Sequence, residues 1–398
     1  MKFNKILLLG GAYHQIPMIK EAQSQGYYVV TCDHTPENPG HKISDKYYNI
    51  STTDYNAVLA LAKKINPKLV ITYASDPAAP VAAYVSEKLG LPGNSYKSVL
   101  ALTDKTLFRK LLQDNGFIIP KNAVFAADDD PQESLAALSF PFVIKPTDSS
   151  GSKGVSLIER PDQIEPGIKH ALKYSRNNLI IAEEFIDNEQ ADIHGDGFVI
   201  DGNLVFTFFG DHLYTSTFNP LNPTGTIWPS SLKKDILRRL NQEIDKVIKL
   251  SGFQMGPINI EARINSSGNL YIMEIGPRNG GHFVPQAIQH ATGFNMLKAT
   301  LDALKGLNAE IKEYNPKHVA YYAINSDSNG TLKHLSLNEK LNPYIIANHP
   351  YVKPGDKVTP FSGSNDAIGV LLLAFASREE MEFMMSNIKQ FIKPVIEQ

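Results

Sequence analysis

Glu261 and Glu274 stand on either side of a short turn. Ile258-Asn259-Ile260-Glu261-Ala262-Arg263-Ile264 alternates apolar and polar residues, Asn265-Ser266-Ser267-Gly268-Asn269 is turn chemistry, and Leu270-Tyr271-Ile272-Met273-Glu274-Ile275 resumes a strand pattern. The pattern predicts a β-hairpin. A turn centred between Ser267 and Gly268 sets Glu261 directly opposite Glu274, on one face with Asn259 and Arg263. Like charges placed opposite each other destabilise a strand pair, so the arrangement calls for a neutralising cation. Two hard oxygen ligands suit Mg²⁺ shared between carboxylates and substrate phosphates. The alternative is a pair of solvated glutamates on an exposed hairpin face.

Three other segments carry chemistry that would serve such a cation. Asp148-Ser149-Ser150-Gly151-Ser152-Lys153-Gly154 lies between two strand patterns, and its small residues leave backbone N–H groups free to wrap phosphate oxygens. It is not a Walker A loop, since no G-x-x-x-x-G-K-[ST] is present and a strand follows. Lys145 ends the preceding strand, where an ammonium serves phosphate as a point charge. Ile180-Ile181-Ala182-Glu183-Glu184-Phe185-Ile186 is an apolar strand running into two acids and two hydrophobes, a segment able to offer its backbone to a purine edge while Phe185 or Ile186 lines the ring. Arg278, in Glu274-Ile275-Gly276-Pro277-Arg278-Asn279-Gly280-Gly281-His282, has the fork geometry for a developing acyl phosphate or a transferred phosphoryl group. Taken singly, these segments also read as a mobile turn, a solvated strand end and an ordinary ion pair.

The elements that must position these groups follow from periodicity. In the first hundred residues strand patterns at 6–9, 28–31 and 69–73 alternate with helix patterns from 16, over 54–65 and over 78–88, which implies crossover units and a parallel sheet. Ligands of such sheets sit at the carboxyl ends of the strands, here Gly10-Gly11-Ala12-Tyr13-His14, Asp33-His34 and Ala74-Ser75-Asp76. A dinucleotide site would need G-x-G-x-x-G after the first strand; only Gly10-Gly11 is present, with Asp33 at the position of a ribose acid. A helix opens at Thr103-Asp104-Lys105 with Thr103 as its N-cap. Further on come a hairpin at Asp201-Gly202 and a long helix near 232–250, and the last ninety residues read as a separate small α+β unit.

Composition narrows the partners. The chain has 398 residues, too many for one ordinary core, with 42% hydrophobic and 20% charged residues. A formal net charge of -2 favours neither nucleic acid nor an anionic membrane. The single cysteine, Cys32, makes no internal disulfide and fits a reducing cytoplasm. The apolar run Ile6–Leu9 is too short for a signal core or a membrane span. Small-molecule partners are therefore expected.

In chain order Lys105, Lys145, the small-residue loop, 183–186, Glu261, Glu274 and Arg278 resemble the ATP-grasp superfamily. Within it the chain looks most like the carboxylate-amine ligases, the purine-biosynthetic enzymes, biotin carboxylase and the halves of the carbamoyl phosphate synthetase large subunit. The resemblance implies a multidomain α/β and α+β fold. A pre-ATP-grasp parallel-sheet domain would span 1–102, a grasp module 103–305 with a mobile lid near 120–186, and a C-terminal α+β domain 306–398. It implies that Lys105 and Lys145 contact ATP phosphates, and that Ser149, Ser150, Gly151, Ser152 and Gly154 close over them. Glu183, with the backbone of Glu184, Phe185 and Ile186, would hold adenine. Glu261 and Glu274 would bind Mg²⁺, or Mn²⁺ in its place, and Arg278 would face the acyl phosphate. Two positions depart from the family pattern. Gly276 replaces the asparagine that commonly adds a metal ligand, with Asn279 or Asn259 as substitutes, and Gln190 stands where a ribose-binding acid is often found, with Glu189 and Asp192 beside it.

The reaction implied is an ATP-dependent ligation, in which a carboxylate is activated as an acyl phosphate and captured by an amine. Its partners would be small-molecule carboxylates and amines, in a cytoplasmic protein that is often a homodimer in this family. Activation of bicarbonate is the second enzyme reading. A non-catalytic nucleotide-binding protein is the third, kept open by Gly276, and a redox enzyme built on the N-terminal sheet is the most distant. Candidate substrate contacts are Tyr13, His14, Ser75, Asp76, Asp211 to Tyr214 and His282.

Overall fold

The computed structural model describes residues 4–216, 218, 219 and 221–397. Ile6 to Leu9 are fully buried, so the strand Lys5–Leu9 sits inside a parallel sheet covered on both faces. The sheet order is Lys46–Asn49, Tyr28–Asp33, Lys5–Leu9, Leu69–Thr72. Leu297 and Leu301, from the helix Met296–Ala303, share this core, which ties the N-terminal sheet to the chain that follows the acidic hairpin.

A four-stranded antiparallel sheet, ordered Asn122–Ala126, Leu179–Glu184, Phe142–Pro146, Ser156–Ile158, holds the small-residue loop at one end. The central body is an eight-stranded antiparallel sheet beginning with the acidic hairpin, Leu270–Gly276 and Gly256–Ile264. On its buried face Ile258, Ile260, Ala262 and Ile272 pack with Leu240, Ile244, Val247 and Ile248 of the helix Lys234–Ser251. Burying each large aliphatic side chain is worth roughly 1.5–3 kcal/mol, and a one-residue slip would turn this face outward. Core packing on one side thereby fixes which residues the hairpin presents on the other: Asn259, Glu261 and Arg263.

Two expectations are corrected. The C-terminal residues are not a separate layer, because His318–Ile324, Gly369–Phe375 and Ile345–Pro350 continue the eight-stranded sheet beyond Gly225–Trp228. Strand periodicity does not specify which sheet a strand joins. The N-cap of the helix Lys105–Asp114 is Asp104, whose carboxylate accepts from the Leu107 N–H at 2.9 Å. Thr103 instead closes the preceding helix, Tyr96–Thr103, its hydroxyl donating to the Val99 carbonyl. Among the described residues no helix is long and apolar enough to cross a membrane.

Candidate active site

A cavity of about 800 Å³ lies where the carboxyl ends of the parallel strands, the four-stranded antiparallel sheet and the polar face of the acidic hairpin converge. The C-terminal segment also reaches it, through Tyr321, Ser364 and Asn365. From the sequence-predicted set, Lys105, Lys145, residues 149–152, residues 183–186, Glu261, Glu274 and Arg278 all line this space. Two do not. Glu189 lies exposed outside it, and Gly154 is buried behind the loop, where an added Cβ would meet Pro146 and Tyr174.

Glu261 faces Glu274 as expected, but by a different route. The turn is centred on Ser267, with Ile264 opposite Leu270, and a β-bulge that leaves Met273 unpaired shifts the register before the glutamates meet. Burial, then the neighbouring Glu274 and Asp192 charges, push the Glu261 carboxyl up to about 7. The pair thus has unmet demand for positive charge, which fits a divalent cation. Among the described residues no group of three or more His, Cys, Asp or Glu side chains is disposed to hold a metal, so a cation here would complete its shell with ligand oxygens, as Mg²⁺ commonly does. Asn259 donates to His194 Nε2 at 2.9 Å and to Asp196 at 2.8 Å. Asn279 is buried and does not line the cavity.

Glu183 is engaged differently from the adenine contact expected of it. Its carboxylate is buried between Arg109 Nε at 2.6 Å and Lys145 Nζ at 2.5 Å. Burial alone would raise this carboxyl, but the two cations outweigh it and hold it at about 2. Lys145 is in turn lowered by burial despite Glu183. Arg109 was not anticipated. It sits one helical turn after Lys105, donates also to the Met273 carbonyl at 3.0 Å, and so ties the helix Lys105–Asp114 to the bulge in the hairpin. Its only sequence signal was a charge among the apolar positions Phe108 and Leu112.

Lys105 lines the cavity. Its ammonium donates to the Ser149 carbonyl at 2.7 Å and stands 3.7 Å from Glu274. The loop itself crosses toward the central sheet: Ser152 Oγ donates to Asn222 at 3.3 Å. Gly151 and Ser152 both have positive φ, 66° and 60°. Arg263 pairs with Asp192 at 3.2 Å and donates to the Ile186 carbonyl at 3.0 Å, so Asp192 rather than Glu189 is the acid that the fold brings to this end. Arg278 meets Asp76 fork to fork, Nε to Oδ1 at 2.7 Å and the terminal nitrogen to Oδ2 at 2.6 Å. This ion pair joins the N-terminal sheet to the end of the hairpin.

His14, His194, His212 and His282 form the remaining wall. Burial depresses all four, His14 to about 4 and His282 to about 3. Burial thus favours the neutral imidazole at each of them. His194 and His212 stack at 4.6 Å and both contact Thr226 Oγ1. The other candidate contacts divide. Ser75 and Tyr214 line the cavity, whereas Tyr13 stacks on Tyr351 and Asp211 pairs with Arg378.

Residues 138–286 match the ATP-grasp domain family. Over 331 residues the chain is 22% identical to the carbamoyl phosphate synthase large chain of Thermotoga petrophila, covering 78% of this chain and 29% of that one. The chain therefore spans about three-tenths of that relative's length. Among solved structures, L-amino acid ligase from Bacillus licheniformis superposes with a TM-score of 0.82 at 22% identity, over 100% of both chains. The biotin carboxylase domain of 2-oxoglutarate carboxylase from Hydrogenobacter thermophilus, in complex with MgADP and bicarbonate, superposes with a TM-score of 0.77 at 16% identity, over 100% of this chain and 91% of that one. At these identities the structural likeness speaks to the fold. The domain match identifies residues 138–286 of the chain as an ATP-grasp domain.

Proposed function

We propose that the protein is an ATP- and Mg²⁺-dependent ligase that activates a small-molecule carboxylate as an acyl phosphate for attack by an amine, with release of ADP and phosphate. The observation that carries this reading is the facing pair Glu261 and Glu274, set in a cavity that Lys105, Lys145 and the small-residue loop also line. In-line transfer of a phosphoryl group needs little covalent chemistry from the protein; positioning and neutralisation of charge supply most of the catalysis. In this reading Lys105 and Lys145 meet phosphate oxygens and the loop 148–154 covers them. The backbone of residues 184–186 borders the adenine. Arg278 stands where the acyl phosphate forms. Mg²⁺, when bound by Glu261 and Glu274, would offset the charge of the β- and γ-phosphates.

The test is release of phosphate and ADP from Mg·ATP against separate pools of amino acids, other carboxylic acids and bicarbonate, with Glu274→Gln as control. Release stimulated by an acid pool and lost in the variant supports the ligase and begins to name its acid. Stimulation by bicarbonate alone would move the assignment to a carboxylase-type enzyme. ATP binding without stimulated release from any pool would favour a non-catalytic nucleotide-binding protein.

A further inference from the structure

Gly276 occupies a strand position with no positive φ, so backbone conformation does not require a glycine there. Space does. A Cβ on Gly276 would lie 2.6 Å from Asp76 Oδ1 and 3.2 Å from the Arg278 guanidinium carbon. The carboxylate occupying that space arrives from the N-terminal sheet, through the loop after the strand Leu69–Thr72. Both side chains of the resulting ion pair are largely buried, 12% exposed for Arg278 and 13% for Asp76. The third guanidinium nitrogen donates to the Asn279 carbonyl at 3.1 Å, and the Arg278 N–H donates to the Gly276 carbonyl at 2.8 Å. The arginine is held from three directions.

The pair also stands at a boundary. Asp76, Lys105 and Glu274 line both the large cavity and a second one of about 280 Å³, whose walls include Gly276, Pro80 and Leu102, while Arg278 faces the large cavity.

We propose that Asp76 is a positioning residue for Arg278, and that Gly276 is the space that admits it. A side chain at 276 and the Asp76 carboxylate exclude one another. A bidentate carboxylate fixes both the plane and the direction of a guanidinium, so the N-terminal sheet sets the orientation of an arginine whose backbone belongs to the grasp domain. The kinetic half of this proposal rests on the ligase reading above; the steric half does not.

The experiment is a double-mutant cycle on the full chain with Asp76→Ala, Gly276→Ala and the double variant, joined by Asp76→Asn as the near-isosteric change. Melting temperature is read first, since it reports the exclusion whatever the reaction proves to be. Gly276→Ala should lower it in the native background and change it little once residue 76 is alanine; equal losses in both backgrounds would overturn the exclusion. Stimulated phosphate release is read second. Asp76→Asn should lower kcat by about 100-fold, the order that a misplacement of about 1 Å costs, with the KM for ATP unchanged. A kcat within about twofold of native in a folded Asp76→Asn protein, or a matching change in the KM for ATP, would overturn the positioning role. Should Gly276→Ala fail to fold alone, its recovery in the double variant still reports the exclusion, and failure of both would count against it.

Discussion

Lys145 and Glu183 meet at 2.5 Å on neighbouring strands of the four-stranded antiparallel sheet, and Arg109 grips the other side of the same carboxylate at 2.6 Å. Two cations around one buried anion leave the group with a net positive charge. The surplus faces the cavity through Lys145. Glu183 is therefore the brace that lets two buried cations stand side by side.

Glu183→Gln removes the brace and leaves Arg109 and Lys145 confronting each other. Breaking a buried pair by removing one partner costs about 3–5 kcal/mol, and denaturant unfolding should show a loss of that order. The sign with pH follows from the depressed carboxyl. Its folded value of about 2 lies below the ordinary 4.5, so its contribution is present above about pH 4.5 and is lost as pH falls toward 2. An unchanged unfolding midpoint in the variant would mean that the cations find other partners.

Glu261→Gln should have opposite effects on the bare protein and on the loaded one. Removing one of two facing negative charges relieves their repulsion, so melting without nucleotide should shift upward or stay level. Stabilisation by Mg·ADP, about 2.7 kcal/mol at a hundredfold excess over Kd for an intact site, should largely vanish. Thermal shifts with and without Mg·ADP read both arms. Full stabilisation in the variant would remove Glu261 from the metal.

How much of this was legible in the sequence depends on separation along the chain. The hairpin was local: alternation, turn and core face lie within one stretch, and the facing of Glu261 and Glu274 could be read from it. Even there the turn centre was misplaced, and the bulge at Met273 cancelled the error at the one pair that matters. Asp76 and Arg278 are 202 residues apart and Arg109 and Glu183 are 74 apart. No periodicity joins such residues, because their meeting depends on how separate sheets dock. The loop at 148–154 was readable from its small residues, whereas its proximity to Ser364 and its bond to Asn222 required the central sheet to continue into the C-terminal strands.

Gly151→Ala should disfavour the seated loop. Its φ of 66° is strained for any residue with a side chain, and an added Cβ would stand 2.9 Å from Ser364 Oγ. A left-handed backbone costs a non-glycine residue about 1–2 kcal/mol, which corresponds to a rise of about tenfold in the KM for ATP. Steady-state kinetics in ATP, with melting temperature as the fold control, checks it. A KM within error of native would mean that the loop closes in another conformation.

The neutral histidines should give the protein a distinctive acid sensitivity. Burial is the first cause of the low values at both His14, about 4, and His282, about 3, with the Lys153 charge adding at the former and His14 itself at the latter. Unfolded, each would titrate near its ordinary 6.5. Below that value the unfolded chain binds protons that the folded chain refuses, so their contribution is complete above about pH 6.5 and drains away as pH falls toward 4. The part of the melting temperature that these imidazoles set should fall across roughly pH 7 to 5, above the range in which ordinary carboxylates titrate. The raised carboxyls of Glu261, at about 7, and Asp196, at about 6, work in the opposite sense by taking up protons in the folded state. The double variant His14→Gln with His282→Gln should flatten that slope, whatever it does to the absolute melting temperature. Parallel slopes in the two proteins would show that these imidazoles take up protons in the folded state as readily as in the unfolded one.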